Sequence, residues 1–407
     1  MTVPVDAAAR RRASFHRLTV SAVRRLTDDA VEVAFAVPAE LAGHYDYLPG
    51  QYVALRTQMP DESGEPHEVR RSYSICAAPV SFPDGSSEIR VAIKRDLGGA
   101  FSTWANAELA AGAELDVMSP MGAFISKHGR GGTGDGADDG EIRNVLNSMN
   151  HPEDLAAQAG AFVAIAAGSG ITPVIAIART LLAANPETRF DLIYANKASM
   201  DVMFLEELAD LKDKYPARLA LHHVLSREQR IAPLMSGRLD ADKLEALLGT
   251  AIHSDDVDEW FLCGPFELVQ LCRDVLQERG VAKDKVRFEL FTTGTPTKPE
   301  GQAGRRVLVD ESEETYKISF TLDGLKAEVS SPTHARESIL NAALRVRPDV
   351  PFACAGGVCG TCRAKVVSGS VQMEENYALE PDEVAKGYVL TCQSRPTSES
   401  VTVDYDV

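Results

Sequence analysis

The sequence of 407 residues predicts three modules in series: an antiparallel β-barrel, an α/β domain around a parallel sheet, and a small α+β domain. Three observations lead there. Short β segments broken by Gly, Pro and Asp fill the early chain, strand and helix patterns alternate through the middle, and four of the seven cysteines crowd toward the end. Single domains usually run to about 100–200 residues, so two or three hydrophobic cores are expected. A composition of 44 % apolar and 25 % charged residues excludes global disorder and fibrous repeats.

The barrel is read over residues 14–126, from β segments Leu18–Val23, Ala30–Val37, Gln51–Arg56, Arg70–Cys76 and Ile89–Lys94. Regular spacing of such segments is the signature of a closed antiparallel sheet. Composition then changes across 127–158. Gly129–Gly140 reads Gly-Arg-Gly-Gly-Thr-Gly-Asp-Gly-Ala-Asp-Asp-Gly, which carries too little apolar surface to bury, so this stretch is expected to be a surface insertion.

The α/β domain is placed at 159–291. Strands Phe162–Ala166, Arg189–Ala195, Leu219–Leu225 and Glu259–Leu262 alternate with helices Val174–Ala184, Met203–Tyr215, Ala241–Leu248 and Pro265–Glu278. Such alternation gives a parallel sheet covered on both faces. A Thr-, Pro- and Gly-rich linker is read at 292–306. The last module, 307–407, opens with β-like runs Lys317–Thr321 and Leu325–Val329 around Leu322-Asp323-Gly324, followed by a helix Ser338–Arg345 and the cysteines.

A net charge of −17 repels phosphate backbones and anionic lipid, which argues against nucleic-acid and membrane-surface partners. Arg10, Arg11 and Arg12 are followed by no apolar run, so no signal peptide is read at Met1–Leu18, and a cytoplasmic protein is expected. The apolar stretch Ala161–Ala178 approaches membrane-span length. Gly168-Ser169-Gly170 and Thr172-Pro173 interrupt it, so it reads as strand, turn and helix.

Cys354-x4-Cys359-x2-Cys362, with a 29-residue gap to Cys392, has the plant-type spacing for four thiolates around a [2Fe–2S] cluster. Ala355, Gly356, Gly357, Gly360 and Thr361 leave room for backbone N–H groups to approach the sulfurs. A zinc site is the competing reading, but zinc ligands usually pair as two Cys-x2-4-Cys halves.

Gly168-x-Gly170 ends an apolar strand, with Thr172 expected to cap the next helix and Pro173 to occupy its first position. A helix start of this kind offers free N–H groups and a positive dipole end to a pyrophosphate. Cys263-Gly264-Pro265 forms a second strand-end turn in the same sheet, and the two define a cleft. Ser226-Arg227, beyond a third strand, is suited to a 2′-phosphate, although an exposed loop would carry the same residues. In the barrel, Arg71-Ser72-Tyr73-Ser74 offers a cation, an aromatic ring and a hydroxyl, and Gly98-Gly99-Ala100-Phe101-Ser102 opens another helix.

Taken in order, these motifs resemble the ferredoxin–NADP reductase superfamily with a fused plant-type ferredoxin of β-grasp fold. They resemble most the reductase components of multicomponent di-iron monooxygenases of aromatic acyl-CoA degradation. The resemblance implies FAD, NADPH and a [2Fe–2S] cluster as cofactors and an oxygenase or epoxidase component as electron acceptor. It implies that Arg71, Tyr73 and Ser74 hold the flavin, that Val91, Ala92 and Ile93 contribute backbone contacts, and that Gly99 and Ser102 take the FAD pyrophosphate. Gly168, Gly170 and Thr172 would then bind the NADPH pyrophosphate, and Ser226 and Arg227 its 2′-phosphate. Cys263, with Gly264 and Pro265, lies near the nicotinamide, while Glu289 and Phe291 close the flavin pocket. Ser74, Cys263 and Glu289 are the implied catalytic residues. Cys263 is also readable as a small buried apolar residue at a strand end, and Cys76 and Cys272 are expected to be structural. Reductases of steroid, alkane or fatty-acyl oxygenases and desaturases share this chemistry. A ferredoxin-type carrier or redox sensor with a vestigial reductase region is the reading from a different class.

Overall fold

The computed structural model describes residues 14–60, 66–96, 99–122, 124–128, 159–250, 252, 256–291, 314–322, 324–347, 350–352, 357, 360–376, 379 and 381–406. The sequence readings at the N-terminus, the glycine-rich insertion, the linker, Gly98, Cys354 and Cys359 lie outside the described residues. Contacts divide the chain into two compact units, Met1–Glu289 and Leu290–Val407.

In the first unit, β1 (Phe15–Thr27), β2 (Ala30–Val37), β3 (Tyr52–Pro60), β4 (Pro66–Ser74), β5 (Ser87–Lys94) and β6 (Glu114–Met118) form an antiparallel sheet in the order β4-β3-β6-β1-β2-β5. Its edges meet. Just past β4, Ile75 bridges Val91 of β5, and the Cys76 N–H donates to the Arg90 carbonyl at 2.9 Å. That contact curls the sheet so that β4 and β5 meet at one end. Val33, Phe35, Val53, Leu55, Val91, Ile93 and Val117 fill the interior, and helix α1 (Ala100–Ala107) adds Phe101 and Ala105 to that core.

The same unit contains a second sheet of β7 (Ala161–Ala167), β8 (Arg189–Asn196), β9 (Leu219–Leu225), β10 (Glu259–Gly264) and β11 (Val286–Leu290), ordered β11-β10-β7-β8-β9. β7 pairs in parallel with β8 and β10, and β8 with β9. Helices α2 (Ile171–Ala184), α3 (Leu205–Lys214), α4 (Ala241–Thr250) and α5 (Phe266–Glu278) supply the crossovers. Coverage of both faces explains why β7 and β10 are almost wholly apolar. The chain runs outward from β7 to β9, then returns to β10 on the other side of β7. That reversal opens a crevice at the carboxyl ends of β7 and β10.

One expectation is corrected here. Residues Gly168–Gly170 form a 3-10 turn and α2 begins at Ile171 with Gly170 as its N-cap, so Thr172 and Pro173 lie inside its first turn. Thr172 does not cap the helix. Its buried hydroxyl donates to the Ser169 carbonyl at 2.9 Å. Pro173 is tolerated there because the first-turn N–H groups have no intrahelical partner.

Polar joints away from the crevice also tie the barrel to the α/β domain. Arg24 of β1 donates to Glu32 of β2 at 3.0 and 3.1 Å and also pairs with Glu207 on α3. The second joint is Glu259, which opens β10. It accepts hydrogen bonds from the Ser126 hydroxyl and from the Lys127 N–H at 2.9 Å, and it lies 3.3 Å from His128 Nδ1. Burial alone would push this carboxyl up, yet the hydrogen bonds from His128, Ser126 and Lys127 hold it below its usual range. The neighbouring Asp258 accepts the Ala161 N–H at 2.9 Å.

The chain thus leaves the barrel and enters β7 pinned to consecutive carboxylates. Deleting Gly129–Gly140 is therefore expected to leave bound flavin and NADPH oxidation intact, since shortening a loop changes its closure term by under about 1 kcal/mol. Flavin content of the purified deletion variant checks this, and its loss would show that the segment is structural.

In the second unit, β12 (Thr315–Leu322), β13 (Leu325–Pro332), β14 (Arg363–Ser368), β16 (Tyr388–Leu390) and β18 (Ser400–Asp404) form a mixed sheet ordered β13-β12-β18-β14-β16. The central β12–β18 pair is parallel. β15 (Val371–Met373) and β17 (Ser394–Pro396) make a separate ribbon. Helix α6 (Ile339–Leu344) is capped by Ser338, whose hydroxyl accepts the Asn341 N–H at 3.3 Å. It packs Ile339, Leu340, Ala342 and Ala343 against Ile318, Phe320, Val401 and Val403. A short helix α7 (Pro381–Ala385) precedes β16. Among the described residues, no helix is long and apolar enough to cross a membrane.

Candidate functional site

At the end of β4, Arg71 is exposed, Tyr73 packs half-buried against the barrel core and Ser74 is buried. Tyr73 begins an aromatic row: its ring lies 5.8 Å from Phe101, which lies 5.6 Å from Trp104. Burial raises the Tyr73 phenol well above its ordinary pKa, against the opposing charge of Arg71. At the start of α1, Ser102 Oγ accepts the Asp96 N–H at 3.0 Å and donates to the Gly99 carbonyl at 3.2 Å. Its hydroxyl therefore shapes the turn. An open hollow of about 330 Å³ adjoins it, lined by Gly99, Ala100, Thr103 and Trp104. Val91, Ala92 and Ile93 are buried on β5 and paired with β2.

Beyond β7, Gly168 adopts φ +52°, a left-handed conformation that costs other residues about 1 kcal/mol. A Cβ on Gly170 would lie 2.2 Å from the Cys263 carbonyl oxygen. Only glycine lets the two strand-end turns close on each other. Cys263 is fully buried, and burial, then the nearby Glu289, raise its thiol far above the usual range, so it is neutral. Pro265 caps α5 from an extended backbone, directly after Gly264.

Glu289, on β11 beside β10, accepts a hydrogen bond from Ser74 Oγ at 3.0 Å. This contact spans 215 residues and joins barrel to sheet. Three residues far apart in the chain, Ser74, Cys263 and Glu289, are thus brought together. Phe291 stands two residues further along.

Burial pushes the Glu289 carboxyl from 4.5 up to about 7, against the Ser74 hydrogen bond. Since the folded chain holds this proton more tightly than the unfolded one, the associated stability is present below about pH 4.5 and lost as pH rises through about 7, about 3 kcal/mol in all. Glu289→Gln should therefore gain stability relative to the parent as pH rises from 5 to 7.5, read from urea midpoints. A constant difference across that range would refute the shift.

At the end of β9, the Ser226 and Arg227 N–H groups donate to the Asn196 and Lys197 carbonyls at 2.9 and 2.8 Å. Both side chains are exposed, and the Arg227 guanidinium has no side-chain partner among the described residues. Backbone bonds, not side chains, fix this loop.

In the second unit, Cys362 stands just before β14 and Cys392 just after β16. Antiparallel pairing of Arg363 with Leu390 sets them side by side, and Thr391 donates to the Cys362 carbonyl through its N–H at 3.1 Å and its hydroxyl at 2.9 Å. Both cysteines are buried. With Cys354 and Cys359 outside the described residues, no group of three or more His, Cys, Asp or Glu assembles around a metal position among the described residues.

Three family models match: an oxidoreductase FAD-binding domain at 17–125, an oxidoreductase NAD-binding domain at 164–274, and a 2Fe-2S iron-sulfur cluster binding domain at 320–397. The chain is 40 % identical to one of the subunits of the 1,2-phenylacetyl-CoA epoxidase of Escherichia coli (strain K12), over 97 % of this chain and 98 % of that one. It is 31 % identical to the ferredoxin reductase component of the 3-ketosteroid-9-alpha-monooxygenase of Rhodococcus rhodochrous, over 95 % of this chain and 96 % of that one. The chain belongs to the family of ferredoxin reductase components of oxygenases. The reductase also shares its fold with phthalate dioxygenase reductase, at TM-score 0.56 and 21 % identity, covering 96 % of this chain and 98 % of that one. Matches to the FAD- and NAD-binding models favour a working reductase over a ferredoxin-type carrier or redox sensor with a vestigial reductase region.

The residues present fit the groups these domains bind. At Gly99 a Cβ would come within 2.7 Å of Ser102 Oγ, and Gly99 and Ala100 at the start of α1 line the hollow, an arrangement that fits an anionic group. Above Gly168 a Cβ would meet nothing within 4 Å, which leaves that turn open to a dinucleotide. Cys362 and Cys392, adjacent and buried, are the soft donors a [2Fe–2S] cluster takes. One residue of this crevice escaped the sequence reading: Tyr194 at the end of β8 donates to the Gly168 carbonyl at 2.9 Å. A tyrosine two residues before the end of a strand that also holds Arg189, Asp191 and Asn196 gives no sign of this contact.

Proposed function

We propose that this reductase takes electrons from NADPH and passes them, through its iron–sulfur module, to the oxygenase component of a di-iron epoxidase acting on phenylacetyl-CoA, in phenylacetate catabolism. The modules are an FAD-binding barrel at 14–126 with the insertion 127–158, an NADP-binding domain at 159–291, a linker at 292–306 and a ferredoxin domain at 307–407. Bound FAD supplies the conversion between a two-electron hydride donor and a one-electron cluster.

The chain's own residues contribute orientation and exclusion of water. Tyr73 offers its ring face to the flavin and Arg71 a cation to its phosphate side. Ser74, held by Glu289, presents a hydroxyl to the reacting edge. Cys263 lines the crevice floor as a neutral, desolvated thiol where the nicotinamide lies. Gly168, Gly170 and Thr172 form the pyrophosphate turn, Ser226 and Arg227 the 2′-phosphate site, and Gly99 and Ser102 the FAD pyrophosphate turn. Phe291 covers the flavin. Cys354, Cys359, Cys362 and Cys392 ligate the cluster. A reducing cytoplasm suits four thiolates kept out of disulfides.

The observation that carries this reading is the Ser74–Glu289 hydrogen bond, which places a barrel hydroxyl against the sheet beside Cys263. Anaerobic titration with NADPH, followed by mixing with the epoxidase oxygenase component and phenylacetyl-CoA in air-saturated buffer, tests it. Bleaching of both flavin and cluster bands and epoxide formation are expected. Bleaching without epoxide, together with turnover of a 3-ketosteroid oxygenase, would reassign the acceptor.

A further inference from the structure

We propose that Tyr194 is a positioning residue for the dinucleotide pyrophosphate, its buried hydroxyl aiming the backbone N–H groups of the Gly168–Gly170 turn at the phosphates. The proposal rests on the reading of that turn as the pyrophosphate site. Tyr194 lies on β8 in register with Ala166 of β7, two residues before the turn, and is completely buried. Its hydroxyl donates to the Gly168 carbonyl at 2.9 Å, and the same oxygen accepts the Ile171 N–H.

A trans peptide points its carbonyl and the following N–H in opposite directions. Drawing the Gly168 carbonyl toward the buried phenol therefore turns the Ser169 N–H away from it. The next peptide is held likewise, because the Ser169 carbonyl accepts the Thr172 hydroxyl at 2.9 Å, which turns the Gly170 N–H away from that hydroxyl. Two successive N–H groups fixed in this manner make an anion-binding concavity at a helix start. The space beyond Gly168 is open for an anion.

Tyr194→Phe keeps the ring in the core, and the Gly168 carbonyl keeps its bond from Ile171, so the fold should persist while the turn loosens. Loss of the bond to Gly168, with the phenol's contacts to Asn196 and the Met203 backbone, should raise the KM for NADPH and for NADH alike by about five- to tenfold, with kcat at saturation changed less than about twofold. Inhibition separates the subsites. The Ki of ADP-ribose, which carries a pyrophosphate, should rise with KM, whereas the Ki of 2′-AMP, which lacks one, should stay constant.

An unchanged ADP-ribose Ki in Tyr194→Phe, alongside a raised one in Gly168→Ala, overturns the role of Tyr194 and leaves the turn as the pyrophosphate site. Equal weakening of ADP-ribose and 2′-AMP with a lowered thermal midpoint overturns it too, since that is general loosening. An unchanged ADP-ribose Ki in Gly168→Ala removes the turn itself from the pyrophosphate site, and the proposal falls with it.

Discussion

Cys392→Ser is expected to stop delivery of electrons to the oxygenase while sparing NADPH-dependent reduction of ferricyanide. Cys392 is buried and set beside Cys362 by the β14–β16 pairing. A serine hydroxyl is a far poorer ligand to iron than a thiolate, so the cluster should be lost. Losing an outer partner of a metal ligand already costs about 10–100-fold, and loss of a ligand should reduce oxygenase turnover by at least about 100-fold. The FAD and nicotinamide modules lie in the other compact unit, so hydride transfer should survive and ferricyanide can collect electrons upstream. The measurement is the ratio of the two rates in variant and parent. Oxygenase turnover retained without cluster absorption would mean that flavin reaches the partner directly. Residues 307–407, which contain the iron-sulfur domain match, carry 16 acidic and 9 basic residues, which suits steering toward a basic patch on the acceptor.

Arg227→Ala should raise the KM for NADPH tenfold or more and leave NADH nearly unchanged. A charge-assisted contact to a 2′-phosphate is worth about 1.5–3 kcal/mol, and NADH has no such phosphate. The loop should not move in the variant, because its N–H groups are held by the Asn196 and Lys197 carbonyls. Equal losses with both nucleotides would falsify the assignment of this loop to the 2′-phosphate.

The strand and helix order was legible because each element has a local cause. Alternation around turn residues marked the barrel strands, and apolar runs between glycine turns marked the parallel ones. Leu219–Leu225 is reproduced to the residue, whereas the start of α2 lies three residues earlier than the apolar pattern suggested. The glycine turn is itself helical, and that backbone choice has no side chain to announce it. Contacts at long separation were out of reach of local pattern. Glu259 opens an apolar strand and shows no sign of its partners Ser126 and Lys127, more than 130 residues upstream. Ser74 and Glu289 were placed at one pocket through family resemblance, since nothing in either segment states that they touch.

The strand β10 treats its two ends in opposite ways. At its carboxyl end the packing admits no extra atom, since even a methyl group on Gly170 would collide with the Cys263 carbonyl. At its amino end, Asp258 and Glu259 clamp the two stems of a segment whose length they do not restrict. Three residues separate Glu259 from Cys263, about 13 Å of extended chain from end to end. Novelty can therefore accumulate at one end of a single strand without reaching the redox crevice at the other. If the deletion variant keeps its flavin and its NADPH oxidation, a lineage acquiring a new docking element, or an engineer splicing in a reporter domain, has a port there.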